Sequence, residues 1–348
     1  MRIGIPFALF SAVLFGASTP LAKSLLVSVD PWMMAGLLYL GAGIGLAALN
    51  VGRPLIGLPA VEAPLRRMDL PWLGLAVLAG GLAGPLFLMF GLSVSDAATA
   101  SLLLNLEGLA TMAIAWIVFR ENVDRRLLLG ALAILAGAVV ISWDGQATLQ
   151  WGAVLIAGAC LCWGVDNNVT RKISSSDPAQ IAMIKGLVAG SLNLIIALTN
   201  GAHIPAPDLV AAICAIGFLG YGISLALFVL ALRHLGTART GAYFSLAPFV
   251  GAILAIVMLS EPLSFRLTIA GMLMAIGLWL HLTERHAHNH THHAMEHEHQ
   301  HIHDEHHQHD HDHSPIDATK PHSHRHRHVR MTHRHAHYPD IHHRHDHA

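Results

Sequence analysis

Residues 98–137 of the chain read ATASLLLNLEGLATMAIAWIVFRENVDRRLLLGALAILAG, and residues 238–277 read ARTGAYFSLAPFVGAILAIVMLSEPLSFRLTIAGMLMAIG. A shift of 140 residues aligns the two stretches, so that Glu121 aligns with Glu261 and Arg126 aligns with Arg266. Each copy is a long apolar run, a short turn that holds one Glu, and a second apolar run, which is the pattern of two membrane helices joined by a polar hairpin. A repeat within a membrane protein is typical of transporters built from two related halves.

The composition separates an apolar body from a His-rich tail. Of the 348 residues, 53% are hydrophobic and 12% are charged, and the mean hydropathy is +0.50. A soluble protein carries about 25% charged residues. Most of the 28 His follow Thr283, where no long apolar run remains. We therefore predict two membrane repeats, residues 1–143 and 150–283, and a disordered His-rich tail, residues 284–348.

About ten stretches of the body are long and apolar enough to cross a bilayer, which takes about 20 residues. With the N-terminus in the cytoplasm, nearly all Lys and Arg of the loops lie on the cytoplasmic side and only Arg266 lies opposite. Both termini are then cytoplasmic. Because each half holds an odd number of spans, the second half enters the membrane upside down. The spans are predicted to begin near Gly4, Trp32, Leu70, Ala97, Leu127, Trp151, Ala179, Leu209, Ala238 and Leu267.

These features resemble the paired EamA repeats of the drug/metabolite transporter superfamily. The resemblance covers roughly residues 4–282 and includes Phe15-Gly16 and Trp163-Gly164 in spans one and six, Pro248, and Glu261-Pro262 in the second hairpin. It implies an all-α integral membrane fold of ten transmembrane helices, arranged as two inverted five-helix repeats in the bacterial cytoplasmic (inner) membrane. It also implies a secondary transporter, commonly an exporter, with a cavity between the halves.

The first repeat departs from the family pattern at two positions. Gly108 stands where a Pro is usual, and Asn122 rather than Pro follows Glu121. A Gly at this position would let another helix approach or would allow a kink.

Glu107 is the most informative residue of the body. It lies about a third of the way into span four, where a carboxylate costs several kcal/mol unless it faces a cavity, is paired or is protonated. Its counterpart in the repeat is Ala247, so the fold does not require a carboxylate there. We interpret Glu107 as a proton-coupling or cation-binding group. A neutral Glu hydrogen-bonded to a neighbouring helix is the structural alternative.

Other polar residues of the body are candidates for transport or coupling. Asp166 and Lys185, in spans six and seven, are predicted to approach each other and either gate the cavity or neutralise each other's charge. Tyrosines in spans eight and nine would supply hydrogen bonds in the cavity or pack between helices. The candidates beside Glu107 are Asp166, Asn167, Asn168, Lys185, Tyr221 and Tyr243.

Three charged residues are expected to act structurally. Glu121 and Glu261 would cap helices or pair with Arg126 and Arg266. Lys23, near the end of span one, would extend toward the outer surface with its charged end in water.

The tail alternates His with polar residues, and no run reaches six His. Imidazole suits Ni, Co, Cu and Zn, and the interspersed Asp and Glu add harder ligands. We expect labile binding of several divalent ions, with no cofactor required. A solvated tail with incidental metal affinity is the alternative. The ligand candidates are His297, His299, His301, His303, His306, His307, His309, His311, His313, His322, His324, His326 and His328.

Body and tail together are similar to the His-tailed nickel and cobalt resistance exporters of this superfamily. That similarity implies efflux of Ni²⁺ or Co²⁺ in exchange for protons. His203 and His234 of the body lie in or near predicted loops, so a transport site there would use oxygen ligands or a Cys. The alternatives are export of a small metabolite such as an amino acid, with the tail only buffering metal, and a membrane metal sensor.

The remaining expectations concern activity and partners. The sequence has no nucleophile–base constellation, P-loop or zincin motif, so an enzyme or an ATP-driven pump is not expected. The expected partners are the lipid bilayer and either divalent metal ions or a small-molecule substrate. A homodimer is one candidate assembly, and nucleic acid is not an expected partner.

Overall fold

Helices make up nearly all of the described body. The computed structural model describes residues 4–52, 65–119, 125–143, 150–173, 176–235 and 243–283 of the body and 287–292, 295–301, 322–328 and 331–336 of the tail. The helices are α1 (Gly4–Leu25), α2 (Pro31–Gly52), α3 (Arg67–Ser93), α4 (Ala97–Leu103 and Leu106–Phe119), α5 (Arg125–Ser142), α6 (Trp151–Ile173), α7 (Pro178–Thr199), α8 (Pro207–Gly217, Phe218–Ile223 and Ser224–Leu235), α9 (Ala247–Leu259) and α10 (Phe265–Leu282).

Within these ranges, eight helices, α1 to α8, are long and apolar enough to cross a membrane, and α9 and α10 are apolar but shorter. The predicted starts of nine spans lie within a few residues of helix starts. The predicted start of the ninth span, Ala238, lies outside the described residues. The all-α membrane fold is therefore confirmed, whereas the count of ten crossings stays a prediction.

The sequence repeat has a structural counterpart in the middle of α3 and α8. Both helices contain a π-helical turn, Val77–Ala83 in α3 and Phe218–Ile223 in α8. In α3, the Gly84 N–H bonds to the Ala79 carbonyl, five residues back, and Pro85 has no N–H to donate. The Gly80 carbonyl is therefore left without a donor from its own helix.

A second shared feature is a break in α4 and in the chain that enters α9. In α4 the helix is interrupted at residues 104–105, and the Asn105 amide donates to the Leu102 carbonyl at 2.8 Å. In the second repeat the turn before α9 is at residues 245–246, one position beyond the exact repeat equivalents 244–245, and Pro248 there cannot donate to a preceding carbonyl. The break in α4 precedes Gly108, and no neighbouring helix comes within 4 Å of a Cβ built there. Of the two expectations for Gly108, close approach of another helix is wrong, and the break in α4 lies one turn before the predicted kink.

The two halves interlock rather than lie side by side. Helix α1 packs on α8 and α9 of the second half, and α6 packs on α3 and α4 of the first half. Gly16 of α1 lies against the Ala247 carbonyl, where a side chain would collide, and a Cβ at Gly164 of α6 would lie 2.8 Å from Ala110 Cβ. Small residues at such crossings let helix backbones approach closely. Glu107 of α4 and Asp166 and Asn167 of α6 therefore lie on helices that pack across the boundary between the halves.

Short paired strands occur in the described part of the tail. In its described part, β1 (Ala287–His292) pairs antiparallel with β4 (Met331–Ala336), and β2 (Met295–His301) pairs antiparallel with β3 (His322–His328). Low hydrophobicity argues against a packed core, but a two-stranded ladder pairs the backbone N–H and C=O groups without one. The predicted disorder of residues 284–348, most of which lie outside the described residues, stays a prediction.

Candidate functional site

An ion pair between Asp166 of α6 and Lys185 of α7 lies at the centre of the site. The Asp166 and Lys185 side chains are 6% and 16% exposed. Thr170, one turn further along α6, donates to the other carboxylate oxygen of Asp166 at 3.0 Å. Because charge is costly to bury without a partner, each member of the pair compensates the other.

The π-helical turn of α3 packs against this ion pair. The Gly80 carbonyl, which lacks a helical donor, accepts hydrogen bonds from the Tyr39 hydroxyl at 2.8 Å and from the Trp163 indole at 3.0 Å. The Gly81 carbonyl accepts from the Asn193 amide of α7 at 3.2 Å. Side chains of α2, α6 and α7 thus converge on one turn of α3. Tyr39 and Asn193 were not among the predicted site residues. Trp163 was noted only because Trp163-Gly164 aligns span six with Phe15-Gly16 of span one.

Glu107 is the second residue of the second segment of α4, so its carboxylate lies in the first turn of a helix inside the membrane span. The N-terminal end of a helix favours negative charge. The Asn167 amide of α6 donates to Glu107 Oε1 at 2.9 Å and to Thr111 Oγ1 at 3.2 Å. Asn167 is exposed and Glu107 is partly exposed, in contrast to the buried Asp166. The Glu107 carboxylate is therefore more exposed than that of Asp166 in this conformation.

The structure separates the three consecutive polar residues of α6. Asp166 faces α7 and the π-helical turn, and Asn167 faces Glu107, which lies within electrostatic range of both Asp166 and Lys185. Asn168 is buried, and its amide donates to the Gly164 carbonyl at 2.8 Å and the Thr111 carbonyl at 3.0 Å. Asn168 thus joins α6 to α4 rather than facing the charged groups.

An aromatic cluster adjoins the polar groups. The ring centroids of Tyr39 and Tyr221 are 5.5 Å apart, and those of Phe15 and Tyr221 are 5.7 Å apart. Phe15 also contacts Phe244, with centroids 5.3 Å apart. Tyr243 is half-buried in the turn before α9, and its neighbour Phe244 is the residue that joins the cluster. The structure therefore brings Tyr221, but not Tyr243, together with the predicted polar residues.

Charged residues at the helix ends act as caps. Both carboxylate oxygens of Glu261 accept backbone N–H groups at the start of α4, from Ala97 at 2.7 Å and Ala98 at 2.8 Å. Lys23 donates to the Leu92 carbonyl at 2.7 Å, at the end of α3, where a helix favours a cation. The capping role predicted for Glu261 is confirmed, whereas Glu121 lies outside the described residues.

Two arginines at equivalent positions of the repeat make equivalent contacts between helices. Arg126 donates to Thr283 Oγ1 at 2.7 Å, and Arg266 donates to the Trp143 carbonyl. Each therefore joins the start of one helix to the end of its repeat counterpart, α5 to α10 and α10 to α5.

Replacing Glu261 with Gln is expected to lower stability by about 1–2 kcal/mol, because the amide presents an N–H group to one of the two backbone donors that the carboxylate accepts. Thermal unfolding in detergent measures this loss. Asp208→Asn is the matched control, since Asp208 is an exposed carboxylate in the first turn of α8 and should change stability by less than about 0.5 kcal/mol. Equal melting temperatures for the two variants would contradict the capping role.

Replacing Gly80 with Ala is expected to displace Asp166, because a methyl group on residue 80 would collide with the Asp166 carboxylate. We expect a loss of about 1–3 kcal/mol in stability and a fall of at least tenfold in transport. Gly74→Ala, in the same helix, is the control, since nothing lies within 4 Å of a Cβ there. Transport at the parental rate by both variants would contradict the prediction that close packing at Gly80 is needed for transport.

The described residues of the chain include no group of three His, Cys, Asp or Glu that could hold a metal ion. His281, which was not a predicted site residue, lies in α10 with its Nε2 atom 3.0 Å from the Leu127 carbonyl, where it joins α10 to α5. The predicted tail ligands that lie outside the described residues are His303, His306, His307, His309, His311 and His313.

Comparisons with known proteins agree with the repeat. The model of the EamA-like transporter family matches residues 2–143 and 150–283. An uncharacterized transporter of Methanothermobacter thermautotrophicus is 29% identical over 78% of this chain and 83% of its own length. A probable amino-acid metabolite efflux pump of Salmonella typhimurium is 28% identical over 79% of this chain and 93% of its own length.

Two further comparisons concern a third relative and the fold. A probable terminal-alkyne amino-acid exporter of Streptantibioticus cattleyicolor is 28% identical over 63% of this chain and 76% of its own length. One solved crystal structure superposes with a TM-score of 0.61 at 20% identity, covering 80% of this chain and 98% of the other, and it supports the fold alone.

Proposed function

Because the chain belongs to the EamA-like transporter family, we propose that it is a secondary-active exporter of a small organic metabolite, driven by protons. The observation that carries this proposal is the Asp166–Lys185 pair, which lies beside Glu107 and Asn167 where the two halves meet. Membership of a transporter family is consistent with the expectation that the chain is not an enzyme.

The charge pattern supports an organic solute over a bare metal ion. A dication that approached Asp166 would meet the ammonium of Lys185 at contact distance, and like charges repel strongly where the dielectric constant is low. An organic solute with hydrogen-bonding groups and an apolar part would instead use both members of the pair and the aromatic cluster. Two of the relatives are named as exporters of amino acids or their metabolites.

The proposed orientation follows the distribution of Lys and Arg. With ten crossings and both termini in the cytoplasm of a bacterial inner membrane, the Asp166–Lys185 pair would lie toward the cytoplasmic side of a site that is reached alternately from each side. Glu107 is the proposed proton carrier, since it lies in the first turn of a half-helix and is partly exposed. No cofactor is part of this proposal.

Efflux of Ni²⁺ or Co²⁺ is the second candidate function, and the His-rich tail favours it. Imidazole-rich segments bind these ions well, so the tail would collect cytoplasmic metal. In the first proposal the tail only buffers metal and is not needed for transport.

A tail deletion after Glu284 is expected to leave export of an organic solute unchanged. Export of radiolabelled leucine and other amino acids, and cell content of nickel and cobalt, should be measured in cells that lack their own exporters. The intact chain, the tail deletion and Glu107→Ala are compared. We expect amino-acid export by the first two and none by Glu107→Ala. Lower metal content with the intact chain that is lost in Glu107→Ala, without amino-acid export, would instead establish metal efflux.

A further inference from the structure

The charged pair occupies only one of two equivalent places in the fold. Gly80 packs against Asp166 where α3 meets α6, and Gly220 packs against Ser18 where α8 meets α1. The repeat relates Gly80 to Gly220 by a shift of 140 and Asp166 to Ser18 by a shift of 148. Ser18 is neutral, and its hydroxyl donates to the Phe15 carbonyl at 2.6 Å. The fold therefore accepts a small neutral residue at this crossing, and the ion pair must have another purpose.

The Lys185 side chain lies between Asp166 and the π-helical turn of α3. Its ammonium contacts Asp166, and its Cγ and Cε atoms lie 3.6 and 3.9 Å from the place of a Cβ on Gly81. The Gly80 carbonyl, without a helical donor, lies in the same turn. Asn193 is fully buried, its amide donates to Gly81, and its Oδ1 atom has no hydrogen-bond partner in the described structure.

This set of groups has the chemistry of a receptor for a primary ammonium group. An ammonium has three N–H donors and no acceptor, so it needs several oxygens that converge on one point. The Asp166 carboxylate and the unpartnered Asn193 Oδ1 are two such acceptors, whereas the Gly80 carbonyl already accepts from Tyr39 and Trp163. Burying an unpartnered amide oxygen costs free energy unless a donor reaches it during the functional cycle.

We propose that Lys185 is a built-in substitute for the amino group of the transported molecule, which is a zwitterion that carries both an ammonium and a carboxylate. The ammonium of the transported molecule displaces Lys185 from Asp166, and the released Lys185 binds the carboxylate. This inference rests on the proposed export of an organic metabolite and names the groups that select it.

The exchange keeps every buried charge paired. In the empty carrier, Asp166 and Lys185 neutralise each other, so the site returns across the membrane without an unpaired charge. In the loaded carrier, two pairs with the zwitterion replace one internal pair. A molecule with only one of the two charged groups would leave Asp166 or Lys185 without a partner, and the site would reject it.

The test compares leucine with two analogues that each lack one charged group, 3-methylbutylamine and 4-methylpentanoate. Uptake of each radiolabelled compound into proteoliposomes is measured for the full chain, Lys185→Met, Asp166→Asn and the double variant, at a temperature where all are folded by circular dichroism. We expect the parent to transport leucine at least tenfold faster than either analogue. Lys185→Met should prefer the amine, Asp166→Asn should prefer the acid, and the double variant should transport none of them.

Competition in the parent protein provides a second measurement that needs no variant. Leucine transport should be inhibited by other amino acids and at least tenfold less by the amine or the acid alone. Unchanged selectivity in the single variants, or equal competition by the amine, would overturn the inference while leaving organic export intact. Failure of the folded parent to transport any amino acid of a broad panel would overturn the proposed function itself.

Discussion

The Lys185→Met variant is expected to be among the least stable single variants of the membrane body and to lose export of amino acids. Met fills similar space but removes the cation, which leaves the Asp166 carboxylate, 6% exposed, without its partner. Removing one member of a buried ion pair costs about 3–5 kcal/mol, because the remaining charge stays buried. Thermal unfolding in detergent and transport in proteoliposomes measure the two losses.

Two further variants distinguish the loss of the ion pair from the general effect of replacing a Lys with Met. Lys172→Met is the matched control, since Lys172 is exposed and stacks at 3.8 Å on the Trp72 ring near the end of α6. It should cost about 1 kcal/mol or less. The neutral double variant Asp166→Asn/Lys185→Met should regain most of the lost stability without regaining transport. A Lys185→Met protein as stable as Lys172→Met would contradict the pairing.

The membrane helices could be predicted because the pattern of apolar runs joined by a Glu-containing hairpin occurs twice in the sequence. Hydrophobic runs of span length set the helices, and the shift of 140 residues relates the Glu121 hairpin to the Glu261 hairpin by sequence alone. The breaks at residues 104–105 and 245–246 were harder to predict. Pro248 marks the second, but the first has no Pro, and Gly108 suggested a bend one turn too late.

The charged residues of the site could be predicted from the cost of placing them in a bilayer. Glu107, Asp166 and Lys185 are conspicuous in apolar spans, and the structure brings them together. Tyr39 and Asn193 are not conspicuous, because Tyr and Asn also serve as helix-packing residues. Their place in the site depends on the carbonyls of Gly80 and Gly81, and so on a π-helical turn.

One sequence signal could have located this turn. Pro85 follows Gly80-Gly81 in the middle of a predicted span, and a Pro there removes the donor for a carbonyl one turn earlier. Pro85 therefore identifies which backbone oxygens become available. The side chains that reach them, Tyr39 and Trp163, are set by the packing of α2 and α6 on α3 and could not be read from the sequence.

Replacing Glu107 with Gln is expected to uncouple export from the proton gradient. Gln has nearly the same shape and can keep the 2.9 Å hydrogen bond from Asn167, so the packing between α4 and α6 should persist. It cannot bind and release a proton, however, and an exporter that uses this carboxylate then has no route for the driving ion. We expect gradient-driven export in proteoliposomes to fall at least tenfold, while exchange of labelled for unlabelled amino acid without a gradient continues.

Glu261→Gln, the same substitution in a helix cap, should lower thermal stability but keep coupling, because the Glu261 carboxylate binds the backbone N–H groups of Ala97 and Ala98. Full gradient-driven export by Glu107→Gln would show that the proton is carried elsewhere, whereas loss of both export and exchange would assign Glu107 to binding of the transported molecule rather than to coupling.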